Sequence, residues 1–429
     1  MKIPRNGGRL GRRAILQAVK RTPPPKTSTE ATLPLYATRF QCIGPACEDT
    51  CCSGWRISID KETFKAYRLA QSGPLVDRFR TRLKLAPTAR KTAANWGEIE
   101  LDDESRNCSF LEEGSCAVHS TLGEDALSDT CYSFPRRYTA IGTHVYHGLS
   151  PACPEVARLA LGVEDALELA ETTVEFRTAT AAGVIRVLPV DVMIAVTDFC
   201  AKAARTKGLV LWERLALLGI FCDDLTGLMA AGRHTSVRAL VEKYEPMLTV
   251  SAASDALSAA PMNHALQAQM FLSLLRMGAT EEHSPLRARI QRGVAVGLGV
   301  DPLTWQVDEM TLIERYTSGV GRLKTALEKI PFLLDNFVQN EMHVEGFPFA
   351  GKTPMVNYLQ LVSRFGIVRL MLAARCNEDP IPEPPELIGT VRYFCRRFTH
   401  DAQYINAVNT ALAQTNDTTI DRLYAFLRW

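Results

Sequence analysis

The sequence predicts a mainly α-helical protein in which an irregular, cysteine-rich, metal- or cluster-binding N-terminal region is packed on a multi-helix body. Three observations carry this expectation. Eight of the 12 cysteines lie between Cys42 and Cys153. From Gly162 onward, apolar residues recur at three- and four-residue steps, the period of an amphipathic helix. At 429 residues with 46% hydrophobic content, the chain can also bury a large core without covalent staples. The expected division is a disordered basic arm over 1–35, a cysteine-cluster region over 36–160 and a helical body over 161–429.

The arm is expected from charge. Lys2, Arg5, Arg9, Arg12, Arg13, Lys20, Arg21 and Lys26 face only Glu30, and Pro23, Pro24 and Pro25 break any helix. A transit peptide or a contact with an acidic partner would read similarly. No apolar signal segment is present, so the expected compartment is the cytoplasm, where thiols stay reduced. A net charge of +2 carries no global nucleic-acid signal. No run of eighteen apolar residues occurs, so neither nucleic acid nor a membrane is expected as a partner.

In the cysteine region, Tyr36 to Cys52 is too rich in Cys, Gly and Pro for a long helix and reads as a ligand-wrapping loop. Trp55 to Asp60 alternates like a short strand, with Trp55 and Ile57 expected as the apolar wall of the site. Asp60 with Thr63 then opens an amphipathic helix through Phe64, Tyr67 and Leu69. Arg78, Arg80, Arg82, Lys84, Arg90 and Lys91 form a basic patch, a solvated face or a dock for an acidic surface. A hairpin-like strand follows, with Ile99 and Leu101 inward. Between Cys108 and Cys153 the thiols are expected on loops flanking a short helix. Pro135 ends that turn, and Arg136 and Arg137 are placed to offset thiolate charge. Cys153 precedes a helix beginning at Pro154, whose N-terminal dipole favours a thiolate.

The candidate ligands are Cys42, Cys47, Cys51, Cys52, Cys108, Cys116, Cys131 and Cys153, of which at least four are expected to bind. Convergent thiolates hold zinc or an iron–sulfur cluster without any other ligand type. The spacing leaves zinc and cluster open, because neither paired C-x2-C knuckles nor a ferredoxin run is present. His119, His144 and His147 are candidate replacement ligands. Core packing, disulfides and redox catalysis at the vicinal pair Cys51 and Cys52 are the competing readings.

The body is expected as helices over Ala166–Ala170, Val190–Ala204, Trp212–Ala231, Val237–Tyr244 and His264–Met277, with a joint over Ala252–Pro261. Cys200 and Cys222 fall on apolar faces. One long stripe runs from Glu309 to Val338 and must kink or divide at Pro331. Helices over Met355–Arg375 and Pro385–His400 and a last pair complete the chain. Gly297-Leu-Gly299 lacks the third glycine and the βαβ context of a Rossmann loop, so no Rossmann domain is expected.

The segments Phe40 to Asp60, Cys108 to Leu111, Leu122 to Arg136 and Leu149 to Arg158 resemble the flagellin lysine-N-methylase family. Their cysteine pattern is similar to that of zinc- or iron-chelating cysteine-cluster proteins. Leu334 to Phe349 resembles the family's C-terminal signature. The resemblance implies transfer of methyl groups from S-adenosylmethionine to lysine ε-amines of flagellin, with a [4Fe–4S] cluster in the cysteine region. Candidates for proton transfer or donor contact near these motifs are Glu48, Glu124, Tyr132, Tyr138, Glu155, Asn340, Glu341 and Phe347. Two alternatives stand beside this reading. One is a non-enzymatic, metal-stapled helical module that binds a protein; the other is an electron-transfer protein.

Overall fold

The computed structural model describes residues 24–184, 186–248, 262–278, 282–414 and 420–429. The protein is mainly α-helical, with 17 helices among the described residues. The chain divides into two compact units. The first holds Cys42–Phe134, Val174–Ala181 and the described residues up to Thr29; the second holds Glu30–Gln41, Pro135–Thr173 and Ala182–Trp429. Residues 1–23 of the expected arm lie outside the described residues, as does the joint over Ala252–Pro261. The rest of the arm departs from expectation. Lys26–Pro34 is strand β1, followed by the short helix α1 (Leu35–Arg39). Its Thr-rich run takes its backbone partners from a strand far along the chain, a pairing that local charge does not reveal.

The first unit is built from short pieces. They are β2 (Ser58–Ile59), α2 (Lys61–Arg68), α3 (Val76–Thr81), β3 (Leu83–Leu85), β4 (Gly97–Ile99), β5 (Leu111–Glu112), β6 (Ser115–Cys116), α4 (Ala117–Leu122) and α5 (Asp129–Ser133). Asp60 caps α2 as expected: its carboxylate accepts from Thr63 N at 2.8 Å and Thr63 Oγ1 at 2.7 Å. The same carboxylate also accepts from Asp129 N at 3.1 Å, which ties α5 to α2. Phe64 and Tyr67 point into the core, but Leu69, expected beside them, is 75% exposed because the helix ends at Arg68. Phe79 lies between Tyr67 and Phe110, with ring centroids 4.2 and 5.4 Å away. Each such buried ring stabilises the unit by about 2–3 kcal/mol.

The second unit pairs a sheet with a helical bundle. Strands β7 (Arg136–Ile141) and β8 (His144–Leu149) form an antiparallel hairpin in register from Arg136 with Leu149 to Ile141 with His144. Its two-residue loop places Gly142 at φ +64°, which L side chains resist. β1 runs parallel to β8 at Ala31 and Thr32. After α6 (Pro154–Leu161), β9 (Leu169–Arg177) and β10 (Ala181–Gly183) complete the order β10-β7-β8-β1-β9. The helix expected over Ala166–Ala170 is thus a turn entering β9, whose Thr, Val and Phe favour an extended chain.

Helices follow in close agreement with the apolar periodicity: α7 (Val190–Arg205), α8 (Leu211–Ala230), α9 (Val237–Tyr244) and α10 (His264–Arg276). α11 (Pro285–Gly297) was not anticipated, because Arg287, Arg289 and Arg292 interrupt its stripe. The long stripe divides at Pro331 into α12 (Glu309–Leu327) and α13 (Leu333–Val344). α14 (Pro354–Arg375), α15 (Pro384–Phe398), α16 (Ala402–Gln414) and α17 (Ile420–Leu427) finish the chain. α14 is buried along nearly its whole length. Gly297 and Gly319 let α11 and α12 approach its backbone, where an added Cβ would strike the carbonyls of Ala374 and Ala373. Among the described residues, no helix is long and apolar enough to cross a membrane.

Candidate functional site

The first unit brings five of the eight expected thiols into one electrostatic group. Cys52 Sγ lies 3.8 Å from Cys51 Sγ, and the Cys108 amide donates to the Cys52 carbonyl at 2.7 Å. The hydrogen bond with Cys51, then burial and the charges of Cys108 and Cys116, push the Cys52 thiol far up. Burial pushes Cys108 and Cys131 up to about 12, and it raises Cys116 as well; each of these three also feels Cys51. As bare sulfurs these groups hold their protons, whereas a bound cation reverses that preference.

Backbone donors already point the other way. Phe110 N approaches Cys108 Sγ at 3.5 Å, and the amides of Val118 and His119 bond Cys116, so N–H dipoles are set to stabilise sulfur anions. The donor chemistry therefore fits a soft metal or an iron–sulfur cluster. Among the described residues, no three His, Cys, Asp or Glu side chains close on a common metal position.

The other expected ligands are placed differently. Cys42 is exposed and Cys47 partly so. Cys153 belongs to the second unit, at the N-cap of α6. The Trp55 indole donates to the Cys51 carbonyl at 2.7 Å, and Ile57 is buried in the first unit's core with Trp55 and Cys52 packed against it. His144 and His147 have ordinary partners within the second unit, Thr32 Oγ1 at 3.0 Å and the Arg137 carbonyl at 3.1 Å. Arg137 lies 3.6 Å from Glu345 in that unit. Of the proton-transfer candidates, Glu48 and Glu124 are exposed, Tyr132 lies beneath the Arg177 guanidinium at 4.0 Å, and Glu155 pairs with Arg158 at 2.6 Å.

Asn340, Glu341 and Phe347 converge on a buried polar centre in the second unit. α13 carries Glu341, and Glu345 follows one turn on; both face Arg364 in the middle of α14, at 2.7 and 3.4 Å. Burial raises the Glu341 carboxyl more than Arg364 lowers it. For Glu345 the opposing charges of Arg364 and Arg137 outweigh burial and hold the carboxyl below its ordinary range. The two carboxylates keep Arg364 charged despite burial.

Around this triad, Tyr36 OH accepts from Leu149 N at 2.8 Å and contacts Asn340 Oδ1 at 2.6 Å. His343 Nε2 lies 3.0 Å from the His147 carbonyl, and the His147 ring stacks on Tyr138 at 4.4 Å. Burial lowers both imidazoles to about 4, so they are neutral and can donate. Arg364 and Gln360 separate two small pockets. One is lined by Glu341, Glu345, Phe347 and Asn357, the other by Phe394, Phe398 and Tyr404.

Arg364, Glu345, His343, Tyr404 and Tyr36 were not singled out from sequence. A signal was present: Arg364 interrupts the apolar run from Leu361 to Met371, and Glu341 with Glu345 has the spacing that puts two carboxylates on one helix face.

The profile of the FliB lysine N-methylase C-terminal domain matches residues 197–426, which include Glu341, Glu345, Arg364 and Tyr404. A lysine-N-methylase of Salmonella typhimurium is 41% identical over 144 residues, covering 33% of this chain and 35% of that protein. A lysine-N-methylase of Salmonella choleraesuis is 40% identical over 144 residues, with the same coverage. The flagellar biosynthetic protein FliU of Salmonella muenchen is 40% identical over 141 residues, covering 33% of this chain and 82% of FliU. The chain thus spans about a third of the length of the lysine-N-methylases it matches. No solved structure matches it. With more than half of its length inside the domain profile and most of FliU covered, the chain belongs to the FliB lysine N-methylase family.

Proposed function

We propose that this chain is a cytoplasmic protein-lysine N-methyltransferase that acts on flagellin, with S-adenosylmethionine as methyl donor. The observation that carries the reading is the match of residues 197–426 to the lysine N-methylase domain, the stretch that builds the Arg364 centre. The names of the relatives, lysine-N-methylase and flagellar biosynthetic protein, support the reaction and the substrate. The chemistry asks for a lysine amine stripped of its proton and held away from water, because only the lone pair attacks a methyl group in line. A pocket lined by the buried carboxylates of Glu341 and Glu345 and by Phe347 is suited to that task.

The metal belongs to the first unit in this reading. Cys51, Cys52, Cys108, Cys116 and Cys131 would hold a [4Fe–4S] cluster, or zinc in its place; Cys42 and Cys47, in the same unit, are the reserve donors. When bound, the group supplies a cation that keeps the surrounding sulfurs deprotonated and staples short elements together. Arg177 prepares this region from the protein side. It is fully buried and donates to the carbonyls of Leu127 and Glu124 at 2.8 and 3.0 Å, fixing the loop that leads into Cys131.

Incubating the purified chain with flagellin and methyl-labelled S-adenosylmethionine tests the proposal. Label on flagellin lysines is the expected result. Unlabelled flagellin in the presence of folded, metal-loaded protein would overturn it and return the chain to a metal-stapled binding module.

A further inference from the structure

The basic run from Arg78 to Lys91 takes no part in the chemistry above, and the structure sorts its members. Arg78 pairs with Glu112 and leaves the group. Within 56–98 the chain carries ten Lys and Arg against four acids, and no cysteine. Within 99–134 it carries nine acids against Arg106 alone. The first unit is therefore polarised in charge, with its cations gathered on the stretch that bears no thiol.

Strand alternation gives these cations a common face. Ile57, Ile59, Leu83 and Ile99 turn one side of the β2-β4-β3 sheet into the core. On the other side Ser58, Glu98 and Lys84 stand in one row across the three strands. Glu98 is buried and shared by two guanidiniums, Arg90 at 3.2 Å and Arg56 at 3.6 Å. Trp96 is flanked by two ammonium groups, Lys91 at 4.2 Å and Lys61 at 4.7 Å from its ring centroid. Lys61, Lys84 and Lys91 have no carboxylate partner among the described residues. Five cations thus surround one carboxylate on a face open to solvent at Arg56, Lys84 and Arg90. An anionic partner relieves the repulsion within such a surplus.

We propose that this sheet face docks a short acidic segment of a partner protein, with carboxylates of the segment pairing with Lys61, Lys84 and Lys91. The dimensions and the surrounding charge favour a short segment. Three strands span about 10 Å, the reach of about three extended residues. At one end the acidic stretch begins, where the Glu100 amide donates to the Arg82 carbonyl at 2.9 Å and Asp102 follows two residues on. A long nucleic acid or an anionic bilayer laid across the face meets those acids within a Debye length, whereas a few residues cover only the cations. The inference stands on this face alone and is independent of the reaction proposed above.

Fluorescence anisotropy of fluorescein-labelled hexa-L-glutamate, titrated with the full chain at low ionic strength, tests the assignment. The double variant Lys84→Gln/Lys91→Gln is compared with Lys207→Gln/Lys352→Gln, which makes the same change in net charge at exposed lysines of the second unit. Equal melting temperatures establish that both are folded. The first is expected to weaken binding about tenfold and the second less than about twofold, and wild-type affinity should fall as salt is raised. A second readout needs no variant. Bound peptide should shield Lys61, Lys84 and Lys91 of the wild type from acetylation by acetic anhydride and leave Lys207 and Lys352 reactive.

Absence of binding by the folded wild type would return the face to a merely solvated one and overturn the assignment. Equal weakening in both variants, or acetylation unchanged by the peptide, would do the same. So would a short single-stranded DNA or phosphatidylserine vesicles that bind as tightly through the same lysines.

Discussion

The two units bury polar groups by opposite means. In the second, charges are satisfied inside the protein. Arg364 has two carboxylates, Arg369 donates to Tyr316 OH and to the carbonyls of Leu427 and Phe426, and Tyr36 joins Leu149 to Asn340. In the first, burial and then the neighbouring thiols push Cys108, Cys116 and Cys131 toward the protonated state, while amide donors at Cys108 and Cys116 favour the anions. The difference teaches where each unit finds its stability. A paired network stands without a ligand, whereas a thiol group with opposing instructions would, in the proposed reading, be completed by a cation.

The largest expected effect sharpens that contrast. Arg364→Ala leaves Glu341 and Glu345 without their main counter-charge and should destabilise the second unit by about 3–5 kcal/mol. Hydrogen exchange should show protection lost over α13 and α14 and retained around α2 and α5. Loss in both units would break the separation.

Acid comes next. The folded-state values of His147 and His343 lie near 4, below their ordinary 6.5, so the unfolded chain takes up protons first as the pH falls. The stability they contribute is present above pH 6.5 and is lost between 6.5 and about 4, at roughly 3 kcal/mol for each group. Denaturant melts across that window should steepen accordingly, and His343→Gln should remove about one proton from the slope. A pH-independent melt would contradict the buried neutral imidazoles.

The smallest effects come from matched single hydrogen-bond deletions. Tyr36→Phe in the second unit strands the Leu149 amide, and Asp60→Ala in the first strands those of Thr63 and Asp129. Each should cost about 1–2 kcal/mol in chemical denaturation. If the thiol group is completed by a metal, chelation should deepen the cost of Asp60→Ala and leave that of Tyr36→Phe unchanged.

Much of the fold was legible because its signals are local. Asp60 three residues before Thr63 announces a cap, and Pro331 in an apolar stripe announces a break; both lie where they were expected. Strands β1 and β9 were not legible, since Lys26–Pro34 and Leu169–Arg177 are extended through pairing in a sheet assembled from distant segments. The thiols could be listed but not sorted. Spacing cannot reveal that Cys51, Cys52, Cys108, Cys116 and Cys131 share one unit while Cys153 falls in the other. Arg364 was hidden for a related reason: an arginine in an apolar helix reads as a solvated interruption until its partners are known.

Elemental analysis of the chain purified without oxygen tests the central claim most directly. The account predicts stoichiometric iron with matching sulfide, or zinc in their place, and its loss on Cys108→Ser or Cys131→Ser. A metal-free wild-type protein that is folded and methylates flagellin would contradict it.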